Sequence, residues 1–204
     1  MMVLLVLLLV AVFVVPNFVR IWPDMRLADD IMLTLILVSG VAAVADHRRH
    51  AGVLAVLSLL VIVVRWGEWL VPASALPLFR NGSTLCALLV LAATVSINVF
   101  AAGRAIGDRV SGAVVLYLLL GLLWAVAYAI VAAAVPSAFT GLPEHDNQAT
   151  DWVYFSFVTL TTVGYGDIAP VARSARTLAI LEALVGQLYP AVILARLVSL
   201  QGAK

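Results

Sequence analysis

The stretch "TLTTVGYGDIAP", residues 159–170, decides how this chain is read. Three Thr, two Gly, a Tyr and an Asp interrupt a sequence that is otherwise strongly apolar. Of 204 residues, 64% are hydrophobic and 11% charged, against about 45–50% and about 25% in a soluble domain. Mean hydropathy is +1.13. Surface of this kind belongs in lipid. Backbone at membrane depth must be helical or part of a closed barrel, unless protein buries it or it lines a watery cavity. A glycine-punctuated polar loop between two long apolar runs therefore needs a reason to be there.

Working outward from that loop, the expected fold class is an all-α integral membrane protein. Six apolar runs approach the ~20 residues that cross a bilayer: about 2–19, 31–45, 51–71, 84–102, 111–135 and 175–200. The first resembles a secretory signal in length, but it lacks a basic start and a small-residue cleavage site, so it reads as a retained helix. No soluble domain is expected before, between or after the spans. Six spans put both termini on one side. Lys and Arg then divide evenly, with Arg48, Arg49, Arg104, Arg109, Arg196 and Lys204 facing Arg20, Arg26, Arg65, Arg80, Arg173 and Arg176. The positive-inside rule alone does not orient the chain. A net charge of +1 suggests no nucleic-acid partner. The single Cys86 excludes an internal disulfide and reads as a small core residue. His47 and His50 flank two Arg in a short basic link, which reads as a loop facing lipid headgroups rather than a metal site. There is no nucleophile–base pair and no phosphate-binding Gly loop with a Lys, so no enzyme and no cofactor are expected.

"DWVYFSFVTLTT", residues 151–162, reads as a helix of about three turns, N-capped by Asp151 or Thr150. It is too short to span, so the chain must turn and return to the surface it left: a re-entrant half-helix followed by an extended strand. Gly164 and Gly166 permit positive φ at alternate positions. That alternation turns successive carbonyls to one side, which a regular β-strand does not do. Oxygens of Thr162, Val163, Gly164 and Tyr165 would then form a row, with the Thr162 hydroxyl below. Four such rows around an axis would make stacked oxygen cages for a large monovalent cation. The C-terminal, partly negative end of the half-helix would face a cation waiting beneath them.

"TTVGYGD", residues 161–167, resembles the signature of the potassium-channel pore family. The resemblance covers roughly 111–200, and the cage of carbonyls replacing the hydration shell of K+ is that family's known device. It implies a bacterial-type six-transmembrane channel: residues 1–103 as a four-helix region and 104–204 as the pore domain with outer helix, pore helix, filter and inner helix. It implies a homotetramer in the cell membrane that passes K+ passively, with no cofactor. The filter faces outside in that family, which puts both termini in the cytoplasm. Thr162, Val163, Gly164, Tyr165, Gly166 and Asp167 become the filter, the first four binding K+. Glu144, Asp146 and Asp151 would rim the outer mouth, either concentrating cations or as ordinary loop charge.

The sequence departs from the family at several pore positions. Tyr154, eight residues before Thr162, stands where relatives commonly carry Trp, and the resemblance implies a hydrogen bond to Asp167. Phe155 can only pack, and Val158 replaces a Glu that props the filter in some members. Thr161 and Glu182 join Tyr154 as expected filter supports. A carboxylate within a span points to protein or water; Glu182 reads as a partner for the back of the pore helix, for instance at Thr159 or Thr161, or as a protonated group that tunes gating. Gly186 falls where the family's hinge lies, and Pro190 removes a helix hydrogen bond four residues on. Together they suggest a gating bend; the other reading of Gly186 is close helix packing. Gln187 and Leu194 would line the cavity.

The fourth run, "TLCALLVLAATVSINVFAAG", holds no charge, so no conventional voltage sensor is expected. Ser96 and Asn98 should bond neighbouring helices, Arg65 and Glu68 should pair, and Asp29 and Asp30 should cap the second span. So little chain follows the sixth span that gating by a nucleotide or calcium would need a further, unidentified regulatory subunit. Two rival readings remain: a non-conducting membrane sensor or scaffold that keeps the pore fold, and a potassium transporter subunit. The latter fits less well, since such filters are degenerate and repeated within one chain.

Overall fold

The computed structural model describes residues 1–14, 25–43, 48–67, 77–100, 106–142 and 148–201. It is mostly helical: α1 (Met2–Leu9, continued by a π-helical turn, Val10–Val14), α2 (Met25–Ala43), α3 (Arg48–Gly67), α4 (Pro77–Phe100), α5 (Ile106–Ala134), α6 (Gln148–Leu160) and α7 (Arg173–Gln201). Two short strands, β1 (Phe139–Thr140) and β2 (Ala169–Pro170), flank α6. Among the described residues, three helices are long and apolar enough to cross a membrane, through Arg80–Ile97, Gly107–Ala134 and Arg173–Arg196. Met2–Val14, Asp30–Ala43 and Gly52–Gly67 are shorter apolar helices. The first three expected spans run on into segments outside the described residues.

The chain divides into two compact units, Met1–Leu123 and Trp124–Lys204, the break falling within α5. In the first unit, α2 packs on α1, α3 and α4, and α3 packs on α4. The first, third and fourth helices each bury one stripe at helical spacing: Leu4, Leu8 and Val12; Leu54, Ser58 and Val61; Thr84, Leu88, Leu91 and Val95. Cys86 is exposed rather than in the core. At 100° per residue it falls opposite the Thr84–Leu88–Leu91 stripe.

Two polar groups of this unit, Asp30 and Ser96, are paired differently from the sequence expectation. Asp30 lies inside α2, a turn and a half after its start, rather than before it; it forms a part-buried 2.5 Å ion pair with Arg65 of α3. Arg65 also donates to the Thr84 hydroxyl at 3.3 Å, which ties three helices together. The expected Arg65–Glu68 pair involves Glu68, which lies outside the described residues, as does the side chain of Asp29. Ser96 donates to the Ala93 carbonyl of its own helix, satisfying its hydroxyl without a neighbour; the side chain of Asn98 is outside the described set.

The second unit is organised around aromatic rings. Phe139 of β1 meets Tyr128, Trp152 and Phe155 edge-on, with centroids 5.7, 4.8 and 5.6 Å apart. Tyr128 and Phe155 meet at 4.8 Å. Ala125, Ala138, Ile168 and Ala175 complete this core. Edge-to-face pairs of this kind add about 0.5–1.5 kcal/mol each beyond the area they bury. β1 pairs antiparallel with β2, Phe139 opposite Pro170 and Thr140 opposite Ala169. The chain thus leaves the sheet at Thr140, passes through α6 and the glycine loop, and returns to the same sheet at Ala169.

Candidate functional site: the loop after α6

α6 begins at Gln148, a turn earlier than expected, so Thr150 and Asp151 lie in its first turn rather than capping it. Asp151 there still opposes the positive end of the helix dipole. The helix ends at Leu160, and the next amides turn back onto it. Thr161 donates to the Phe157 carbonyl at 3.0 Å and Thr162 to Thr159 at 2.9 Å. Val163 and Gly164 share the Val158 carbonyl at 3.0 and 3.3 Å. These bonds satisfy carbonyls that a helix end would leave open.

The same bonds orient the loop. In a trans peptide the C=O points opposite to the N–H of the same plane. The N–H groups of Thr162, Val163 and Gly164 face α6, so the carbonyls of Thr161, Thr162 and Val163 face away from it. The backbone alternates as the glycines suggest: φ is +59° at Thr162, +58° at Gly164 and +79° at Gly166. Thr162 is β-branched, and a positive φ there costs on the order of 1–3 kcal/mol. It persists because neighbouring bonds hold it. In the isolated chain, Thr161 to Asp167 are all exposed, Tyr165 at 72%.

Three sets of contacts brace this loop. At its C-terminal end, the Tyr154 hydroxyl donates to Asp167 Oδ2 at 2.7 Å. This bond holds the Asp167 carboxyl below its ordinary range and the Tyr154 hydroxyl above its own. Gly141, at φ +81°, lies against the backbone of Asp167 and Ile168; a Cβ there would stand 2.8 Å from the Asp167 carbonyl carbon.

Behind α6, Glu182 of α7 is fully buried and accepts from the Tyr128 hydroxyl of α5 and, at 2.5 Å, from Ser156 of α6. The expected partners, Thr159 and Thr161, are not the ones used; the Thr161 hydroxyl donates to the Phe157 carbonyl at 2.6 Å. Register explains the change. Gly186 is buried against the Leu160 carbonyl, where a Cβ would stand 2.8 Å from the carbonyl carbon. One turn back on each helix, Glu182 meets Ser156. Tyr128 and Ser156 gave no sequence signal, being a Tyr in an apolar run and a Ser in a short helix.

At the N-terminal end of the loop, Gln187 Nε2 donates to Thr162 Oγ1 at 2.8 Å. Leu194 is exposed. α7 remains continuous through Gly186 and Pro190. Glu144 and Asp146 lie outside the described residues.

With this geometry in view, residues 114–201 match the model of the ion channel family. Particular relatives share the region. The chain is 39% identical over 87 residues to Protein LctB of Bacillus caldotenax, covering 40% of this chain and 64% of that protein. It is 39% identical over 77 residues to the inward rectifier potassium channel Kirbac3.1 of Paramagnetospirillum magnetotacticum, covering 38% and 24%. It is 37% identical over 67 residues to the two pore potassium channel c of Oryza sativa subsp. japonica, covering 33% and 15%. The chain therefore spans less than two thirds of the length of each. All of these similarities fall on the region that holds the loop.

Proposed function

We propose that the protein is a potassium-selective channel of the cell membrane, passing K+ passively as a homotetramer. Six helices cross the bilayer, both termini lie in the cytoplasm, and α6 with its loop forms a re-entrant pore segment facing outside. Carbonyls of Thr162, Val163, Gly164 and Tyr165, with the Thr162 hydroxyl, replace the hydration shell of the ion. Gly166 and Asp167 close the outer end. No further cofactor enters; K+ is the permeant ion.

One observation carries this reading: positive φ at alternate residues 162, 164 and 166, together with amides that turn back onto α6 and send their carbonyls the other way. Such a loop leaves a row of strong acceptors without helix or sheet partners, a costly arrangement in lipid unless a desolvated cation occupies it. The exposed apolar side chains Val163, Leu184, Leu188 and Val192 of the isolated chain give three further copies surface to cover.

The test is rubidium uptake by liposomes holding the purified protein. Uptake that barium blocks, and that Gly164→Ala abolishes, is expected; a side chain at that positive φ is strained whatever the space around it. Uptake no greater than in empty liposomes would overturn the proposal.

A further inference from the structure

We propose that Gln187 is a positioning residue for the innermost ion site, fixing the Thr162 hydroxyl so that it presents a lone pair to the ion. The inference rests on the channel reading above. A threonine hydroxyl has one proton to donate and two lone pairs, whereas a carboxamide nitrogen only donates. The 2.8 Å bond from Gln187 Nε2 therefore occupies one lone pair of Thr162 Oγ1 and holds the side chain in one rotamer. The second lone pair stays free for a cation. Without the carboxamide, the exposed hydroxyl can rotate, and an ion arriving there must order it first.

The contact depends on two other features of this chain. Gly186 has no side chain, and α7 comes close enough to touch the Leu160 carbonyl at the end of α6. That approach brings the next residue of α7, Gln187, to the second residue beyond α6, Thr162. Thr162 is also the non-glycine residue of the loop held at positive φ, +59°. The inner helix thus grips the loop at its most strained side chain. Four copies would place a ring of carboxamides directly beneath the filter, each setting one ligand of the lowest cage.

Barium block tests this, because a divalent ion of about potassium's size depends strongly on the ligands of the site where it lodges. In proteoliposomes, Gln187→Met keeps side-chain length and removes the donor. The expected result is block weakened by at least about tenfold, since an ordinary hydrogen bond carries a factor of roughly two to ten and four act together. Thr162→Val should weaken block as well, and adding Gln187→Met to it should change nothing further. A simple packing role for Gln187 would give additive effects instead. Should Gln187→Met fail to assemble, Gln187→Asn, polar but too short to reach, reads the same quantity. Wild-type block with unchanged barium affinity in the Gln187 variant overturns this inference alone. Absence of barium-sensitive flux in the wild type overturns the channel reading beneath it.

Discussion

Gly186→Ala separates two roles for the glycine of α7. If Gly186 served only as a flexible joint, alanine would stabilise the helix by about 1 kcal/mol. The structure gives a different expectation. A Cβ at this position would lie 2.8 Å from the carbonyl carbon and 3.2 Å from the Cα of Leu160, and would overlap the carbonyl oxygen. These are backbone atoms, which cannot swing aside as a side chain would. Ordinary contact lies near 3.4–4 Å, so α7 must withdraw from α6 by about 1 Å. Overpacking of this kind costs about 1–3 kcal/mol, which leaves a net loss of up to about 2 kcal/mol per chain after the helix gain. The same withdrawal would stretch the 2.8 Å bond from Gln187 to Thr162 beyond hydrogen-bonding range. The assay is thermal unfolding of the purified assembly alongside barium block of rubidium uptake. Lower stability together with weaker block is expected. An alanine variant as stable as the wild type, or more so, with unchanged block would refute the packing argument.

Three further outcomes follow from the contacts around the loop and in the first unit. Glu182→Ala removes the acceptor of the buried Tyr128 hydroxyl and the bond from Ser156, at a cost of about 1–3 kcal/mol for the stranded tyrosine hydroxyl; chemical unfolding should show Glu182→Gln to be the milder change. Tyr154→Phe removes the bond to Asp167 and should make flux decay faster after it begins. That bond is also pH-dependent. Asp167 lies below its ordinary 3.8, so its contribution is complete above that value and is lost as pH falls through the lowered one. Tyr154 lies above its ordinary 10.0, so its contribution is complete below 10 and is lost as pH rises through the raised value. Flux decay in the wild type should therefore be flat across neutral pH and should accelerate in acid, while the Tyr154→Phe variant should lack the acid limb. In the first unit, Asp30→Ala removes the charged partner of Arg65 and leaves it the Thr84 hydroxyl, which should destabilise by about 1–3 kcal/mol; Arg65→Met added to it should recover part of the loss.

The loop was legible in the sequence because glycine spacing is a statement about backbone. Gly164 and Gly166 announce positive φ wherever they fall, and a short aromatic helix before them sets where the loop begins. Helices were legible where the sequence holds long apolar runs, three of them long enough to cross a membrane, although their ends shifted by several residues where polar residues such as Gln148 and Arg173 extend a helix past its apolar portion. The contacts behind the loop were not legible. Glu182 announced that it needed a partner, but the register of α7 on α6 is set by the tertiary contact of Gly186 with Leu160, and sequence spacing does not encode it. The same holds for Asp30 and Arg65, which are thirty-five residues apart and meet only because α2 and α3 pack together. The two-residue strands β1 and β2 carry no periodic signal at all. Gly141 could have been found as a glycine shortly after a proline, yet nothing local tells that it abuts Asp167.

The most direct test of the account is a reversal potential. Purified protein in a planar bilayer, with potassium on one side and an equal concentration of sodium on the other, should give a current that reverses far from zero, on the side set by potassium. Reversal at or near zero would mean that the two ions pass alike, and that the row of carbonyls proposed at residues 162–165 does not select between them.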